Sequence, residues 1–322
     1  MNQRRGQFTG VVCANIPLCR EHFKLVMEVR GFPPTKAGQF VQLLCRSTRD
    51  LDYVERELEW PSPQRPEVEN VDLIAPTALL RRPFSLAGAT TDGETATIEV
   101  IHRVVGVGTD WLVQLRTGDE VGILGPLGNT FSHPVENQIA ILVGGGVGIP
   151  PMLYLASELV GKKVIAFCGA TTRDLLSLTV TADARTPGID SIEPLYNIQE
   201  FAAHGIPAVI STDDGSYGFR GFVTQSLQEY LDRFRIRGEM AVIYTCGPEV
   251  MMKRVADLAR ARQIPCQVAV ERAMACGMGT CQSCCIRVKK PDASAVPLPG
   301  QDWCYRLACT DGPVFAGEEL LW

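Results

Sequence analysis

The residues best suited to chemistry in this chain are cysteines. Cys276, Cys281 and Cys284 stand in the order Cys-x4-Cys-x2-Cys within ACGMGTCQSC, and Cys304 and Cys309 follow. This is the ligand order of a plant-type [2Fe–2S] cluster, which takes four thiolates. The thiolates must converge on two irons while the loop wraps closely round the inorganic sulfurs. Gly277 and Gly279 permit the backbone angles and close approach that this requires, so that N–H groups can point at sulfur. Spacing alone leaves the fourth ligand open between Cys309 and Cys304. Cys285 is an extra neighbour, expected on the other side of the chain from Cys284 if the segment entering IRVKK is extended. The competing chemistry is a structural zinc site, which also uses Cys-x2-Cys units. That reading goes with a non-enzymatic binding module built on a degenerate nucleotide fold.

Three further constellations suit nucleotide cofactors. Arg82-Pro83-Phe84-Ser85 opens a strand, where Arg can hold a pyrophosphate bidentately and Ser can bond the edge of a flavin ring. Gly106-Val107-Gly108-Thr109 precedes the short helical stretch DWLVQL, with Thr109 as the expected N-cap and free N–H groups for a phosphate. Gly144 to Pro151, GGGVGIPP, lies between an apolar strand and a helix, the setting of a dinucleotide phosphate loop. It departs from G-x-G-x-x-G at Ile149, and a proline in the first helical turn is well placed there. Thr245-Cys246-Gly247-Pro248 ends another apolar run, where ligands gather in open α/β sheets. His22, His102, His133 and His204 form neither a metal nor a triad spacing, so no general base and no catalytic residue is assigned. Hydride transfer between nicotinamide and flavin needs none.

These motifs must be held by elements of two kinds. FTGVVCANIPL, FKLVMEVRG, GQFVQLLC, ATIEVIHRVVG and DEVGILGPLG read as short strands between Gly, Pro and Asp, favouring an antiparallel barrel or sandwich. From about residue 137 apolar runs alternate with helical segments: QIAILVGGG, KKVIAFCGA, IPAVISTDD and MAVIYTCGP against PPMLYLASELV, TQSLQEYLDRF and EVMMKRVADLARAR. That rhythm argues a parallel α/β sheet. Residues 47–80 are polar and Pro-containing and read as a long excursion. The expected division is 1–134, 135–263 and 264–322.

Composition bounds the rest. The 322 residues are 46% hydrophobic and carry a net charge of −5, which argues against a nucleic-acid partner. No apolar run is long enough for a membrane span, and MNQRRGQFTG lacks the run of a signal peptide, so the expectation is a cytoplasmic protein. Twelve cysteines are many for such a chain. Cys13, Cys19, Cys45, Cys168 and Cys266 are scattered and are read as small buried hydrophobes.

The order RRPFS, GVGT, GPLGNTF, VGGGVGIPP and TCGPEVMM resembles the ferredoxin–NADP⁺ reductase superfamily over nearly the whole chain. The resemblance implies an antiparallel FAD-binding β-barrel, a parallel-sheet nucleotide-binding α/β domain and a small C-terminal [2Fe–2S] domain. TDDGSYGFRGFV, ERAMACGMGTCQSC and ACTDGPVF narrow it to the electron-transfer subunit of class 1B dihydroorotate dehydrogenase. In that family the last ligand directly precedes x-DGPVF, which implies Cys276, Cys281, Cys284 and Cys309. The resemblance further implies flavin contacts from Arg82, Pro83, Phe84, Ser85, Ile101, His102 and Arg103, and a pyrophosphate turn at Gly108 and Thr109. The candidate NAD(H) residues are Gly145, Gly146, Gly148, Cys246 and Gly247. The implied partner is an FMN-containing β/α-barrel catalytic subunit oxidising dihydroorotate, in a heterotetramer of pyrimidine biosynthesis. Two segments are longer than the family pattern, 47–80 and the stretch between Cys284 and Cys309. An alternative of the same fold is an NAD(P)H:ferredoxin oxidoreductase or hydrogenase-type subunit, for which Arg173 could bind a 2′-phosphate.

Overall fold

The structure is a computed structural model, and it describes residues 5–47, 78–181, 185–289 and 302–322. Most of the 47–80 excursion and the stretch 290–301 between Cys284 and Cys309 lie outside the described residues. The first six strands are β1 (Gly6–Cys19), β2 (His22–Arg30), β3 (Phe40–Leu43), β4 (Arg82–Asp92), β5 (Thr95–Arg103) and β6 (Glu120–Leu127). They close an antiparallel barrel in the order β1-β2-β5-β4-β3-β6. Alternation explains the closure. Leu25, Met27, Val41, Leu43, Ile98, Val100, Val121 and Ile123 turn inward and are buried, while their sequence neighbours face outward. Helix α1 (Val107–Val113) follows β5.

The second layer system is a seven-stranded sheet. Its strands are β7 (Ile139–Gly145), β8 (Val164–Ala170), β9 (Ala208–Thr212), β10 (Phe219–Arg220), β11 (Ala241–Cys246), β12 (Cys266–Ala269) and β15 (Val314–Ala316). The order is β10-β9-β8-β7-β11-β12-β15, parallel except for β15, which pairs antiparallel with β12. Strands β7 and β11 are continuous apolar runs because helices cover both faces. The helices are α2 (Ile149–Glu158), α3 (Gln199–Ala202), α4 (Val223–Arg233) and α5 (Glu249–Ala261). Among the described residues no helix is long and apolar enough to cross a membrane.

The last segment forms a hairpin of β13 (Cys285–Lys289) and β14 (Trp303–Leu307) before giving β15 to the sheet. Its apolar side chains merge with the rest. Cys284, Ile286, Ala308, Cys309 and Phe315 share one core with Phe40, Leu124 and Leu127 of the barrel and with Val268 of β12. Helix α2 packs against β4, and its Glu158 accepts the backbone N–H of Ala37 at 2.8 Å, so barrel and sheet meet at a dry, hydrogen-bonded junction.

The scattered cysteines divide. Cys45 and Cys168 are buried as expected. Cys13, Cys19 and Cys266 are only half-buried, and Cys266, which starts β12 between β11 and β15, still packs against the apolar core.

Candidate functional site

The cysteine loop runs from β12 into β13. Gly277 and Gly279 have φ of 69° and 88°, and the N–H groups of Met278 and Cys281 both point at Cys276 Sγ, 3.4 Å away. The thiols of the four cysteines lie near enough to act on one another. Cys281 interacts with Cys276, and its thiol is lowered to about 6 by hydrogen bonds from Ser283 first and Cys276 second. Cys309 interacts with Cys284, and burial followed by that neighbouring thiol raises it to about 11. Cys276 also acts on Cys309 through charge, so the pairs adjoin. Among the described residues no three His, Cys, Asp or Glu side chains gather round one point. Neighbouring thiols on a loop whose N–H groups point at sulfur are a donor set that fits a binuclear cluster. Cys304 stands within β14 opposite Val288. Cys285 is exposed where Cys284 is buried, as the extended chain requires.

The barrel edge carries the second group. Arg82, Pro83, Phe84 and Ser85 open β4 and are half-buried. Gly108 lies against this start, since a Cβ there would stand 3.5 Å from Arg82 Cγ and 3.2 Å from Cys45 Cβ. Thr109 corrects the sequence reading. It is the third residue of α1 rather than its N-cap, which is Gly106. Its hydroxyl accepts the N–H groups of Val105 and Gly106 and donates to Gly106 O, tightening the turn from inside. Ile101 and His102 are buried and Arg103 is exposed in an ion pair with Glu21. His102 is 1% exposed, packed between Phe23 and Phe84, and among the described residues neither ring nitrogen has a partner. Burial, then the nearby His22, pushes it down to about 4. A buried imidazole packed against Phe84, whose strand also carries half-buried Arg82 and Ser85, fits a bound polar ring system such as FAD.

The third group sits where the sheet reverses. Strands β8, β9 and β10 extend to one side of β7, and β11 lies on the other, so the carboxyl ends of β7 and β11 form the switch point where ligands bind. A cleft of about 630 Å³ opens there, lined among others by Gly145, Gly146, Thr171, Asp213, Met251 and Arg254. Gly148 holds it together: a Cβ there would lie 2.1 Å from Cys246 O and 2.4 Å from Gly247 N. Cys246 is a buried thiol raised to about 12 by burial and by Glu271. Several lining residues were not singled out from sequence, among them the ionisable His22, Asp213, Arg254 and Glu271. Asp213 had a usable signal, an acidic residue ending an apolar strand run. His22 and Glu271 had none, because each reaches the cleft from another part of the chain.

Comparison with known proteins agrees with this geometry. Residues 271–321 match the family model for the iron–sulfur cluster binding domain of dihydroorotate dehydrogenase B, and residues 142–257 match that for the oxidoreductase NAD-binding domain. The chain is 31% identical over 317 residues to the dihydroorotate dehydrogenase B (NAD(+)) electron transfer subunit of Caldanaerobacter subterraneus, covering 98% of this chain and 99% of that one. It is 37% identical over 330 aligned positions to the same subunit from Shouchella clausii, covering all of both. Among solved structures, an NADH-dependent reduced ferredoxin-NADP oxidoreductase superposes with a TM-score of 0.67 at 25% identity, over 97% of this chain and 90% of that one. A cytochrome P450 reductase from Amycolatopsis shares the fold, with a TM-score of 0.57 at 22% identity over 82% of this chain and 68% of that one. The chain belongs to the family of electron transfer subunits of dihydroorotate dehydrogenase B.

Proposed function

We propose that this chain passes electrons between NAD(H), bound in the β7/β11 cleft, and a catalytic dihydroorotate dehydrogenase subunit, an FMN-containing β/α barrel, in the cytoplasm. FAD, when bound, supplies the chemistry that converts a two-electron hydride into single electrons for the cluster. The residues do the holding. Gly145, Gly146 and Gly148 leave room for the nucleotide phosphates, with Gly146 facing open space. Cys246 and Gly247 close the nicotinamide end, where burial keeps the Cys246 thiol neutral and Glu271 lines the cleft. Arg82, Pro83, Phe84, Ser85, Ile101, His102 and Arg103 form the flavin strand pair, and Gly108 and Thr109 the pyrophosphate turn. Cys276, Cys281, Cys284 and Cys309 take the cluster. We carry forward the division at 134 and 264 for these three sites.

The observation that supports this reading best is the glycine-bearing loop whose Met278 and Cys281 N–H groups both point at Cys276 Sγ. The test is the absorption and electron paramagnetic resonance of the purified chain. Cys309→Ser is expected to lose the cluster signal and Cys304→Ser to keep it. A chain that binds zinc alone, with no flavin colour, would sink the reading. Co-purification from the native source tests the partner.

A further inference from the structure

Gln42 has no role in the sites above, yet it sits between two of them. In β3 it is paired with Pro83 of the flavin strand β4 and with Leu124 of β6, and Phe40, two residues earlier, is paired with Ser85. Residues directly opposite in an antiparallel pair share a face. Val41 and Leu43 belong to the barrel core, whereas Phe40 and Leu124 belong to the core shared with Cys284 and Cys309. Gln42 therefore points out of the barrel, into the seam between the RPFS strand and the cysteine segment.

The seam is closed over it. Gln42 is 0% exposed, and among the described residues neither Oε1 nor Nε2 has a hydrogen-bond partner. Gly277 of the cysteine loop, the neighbour of Cys276, lies against it: a Cβ there would stand 2.7 Å from Gln42 Oε1 and 2.8 Å from Cδ. A side chain at 277 could not seat over the amide. A buried amide with both ends unmet is costly in the bare fold, and a leucine or methionine would fill the same space without that cost. The choice of an amide makes physical sense if its partner arrives with the cofactor.

We propose that Gln42 hydrogen-bonds the sulfur shell of the [2Fe–2S] cluster held by the 276–309 segment, as a positioning residue that raises the cluster's reduction potential on the side facing the flavin strand. This rests on the cluster reading given above. Hydrogen bonds to cluster sulfurs favour the more negative, reduced form and so raise the potential.

The test uses the full-length chain, cluster-loaded and cluster-free, with Gln42→Met and Gln42→Leu. In a redox titration followed by electron paramagnetic resonance, both variants should show a lower cluster midpoint potential than wild type. The cluster-loaded variants should melt at a lower temperature than wild type, and the cluster-free variants at the same or a higher one, because the orphan amide is gone. Equal loss of melting temperature in both forms with an unchanged potential would mean plain packing and would overturn the proposal. So would failure of both variants to fold without the cluster, since the polypeptide alone would then need the amide. A wild-type chain that takes up no cluster would instead overturn the underlying reading, and the proposal with it.

Discussion

At the scale of single residues, the clearest consequence of the fold is a buried imidazole. His102 titrates near 6.5 in an unfolded chain and at about 4 in the folded one, where burial disfavours its charged form. The unfolded chain therefore binds a proton that the folded chain refuses. Stability is fully present above about pH 6.5, falls as the pH drops toward 4, and levels off below that. The loss amounts to about 3 kcal/mol from this one ring. His102→Phe should flatten the acid side of a melting-temperature profile recorded between pH 7 and 4.5. Parallel profiles for variant and wild type would show that His102 contributes none of the acid sensitivity. The same residue shows what sequence can reach. Its strand and its place beside the flavin motif were legible, but its isolation from every partner depends on Phe23 and Phe84, which come from two other strands.

At the scale of elements, one side chain ties the cysteine segment to the barrel beside the apolar core that they share. Asn129, just after β6, donates through Nδ2 to Asp311 O at 3.0 Å and Val314 O at 2.8 Å, and its Oδ1 accepts the Val314 N–H at 2.9 Å. Its own N–H donates to Gly312 O. These bonds position the residues that follow Cys309 and let β15 pair with β12. Asn129→Ala removes three of them and leaves backbone groups of the cysteine segment unpaired. It should destabilise the chain by about 1–3 kcal/mol, and the cluster should be lost faster on dilution or mild heating. Thermal unfolding together with the decay of cluster absorbance checks both effects. If the melting temperature falls and cluster retention is unchanged, Asn129 supports the barrel and not the cysteine segment. The GPLGNTF stretch was visible as a motif, but only the fold shows which chain its asparagine grips, because the partner lies more than 180 residues away.

At the scale of the whole molecule, shared apolar cores tie the three sites together. One core runs from the barrel through α2 to one face of the nucleotide sheet, and another joins barrel, sheet edge and cysteine segment. Asp213, directly after β9, lines the cleft, and Asp214 beside it accepts the Ser216 hydroxyl. Carboxylates at this place suit ribose hydroxyls and repel a 2′-phosphate. Arg173, the candidate phosphate ligand, instead lies over the Tyr217 ring at 5.6 Å while its N–H donates to Ser216. NADH should therefore outperform NADPH with an artificial electron acceptor. Asp213→Ser should narrow the ratio roughly tenfold, the effect of about 1.4 kcal/mol of charge repulsion. Comparing kcat/KM for the two nucleotides in both proteins measures it, and an unchanged ratio would remove Asp213 from the choice.

The local features were set by sequence alone. Periodicity of two in the first third and alternating apolar and helical runs in the middle determine a barrel followed by a parallel sheet, because burial of one face or of both selects those patterns. The cysteine spacing with its two glycines determines a wrapped loop, because few other residues allow those backbone angles. Tertiary structure decided what meets across long separations. It set Cys309 beside Cys284, Gln42 under Gly277, Glu271 beside Cys246 and Thr109 inside its turn. Each of these depends on how closed sheets bring distant strands to one edge. No local pattern encodes such a meeting, since its energy comes from packing and hydrogen bonds that exist only once the layers have closed.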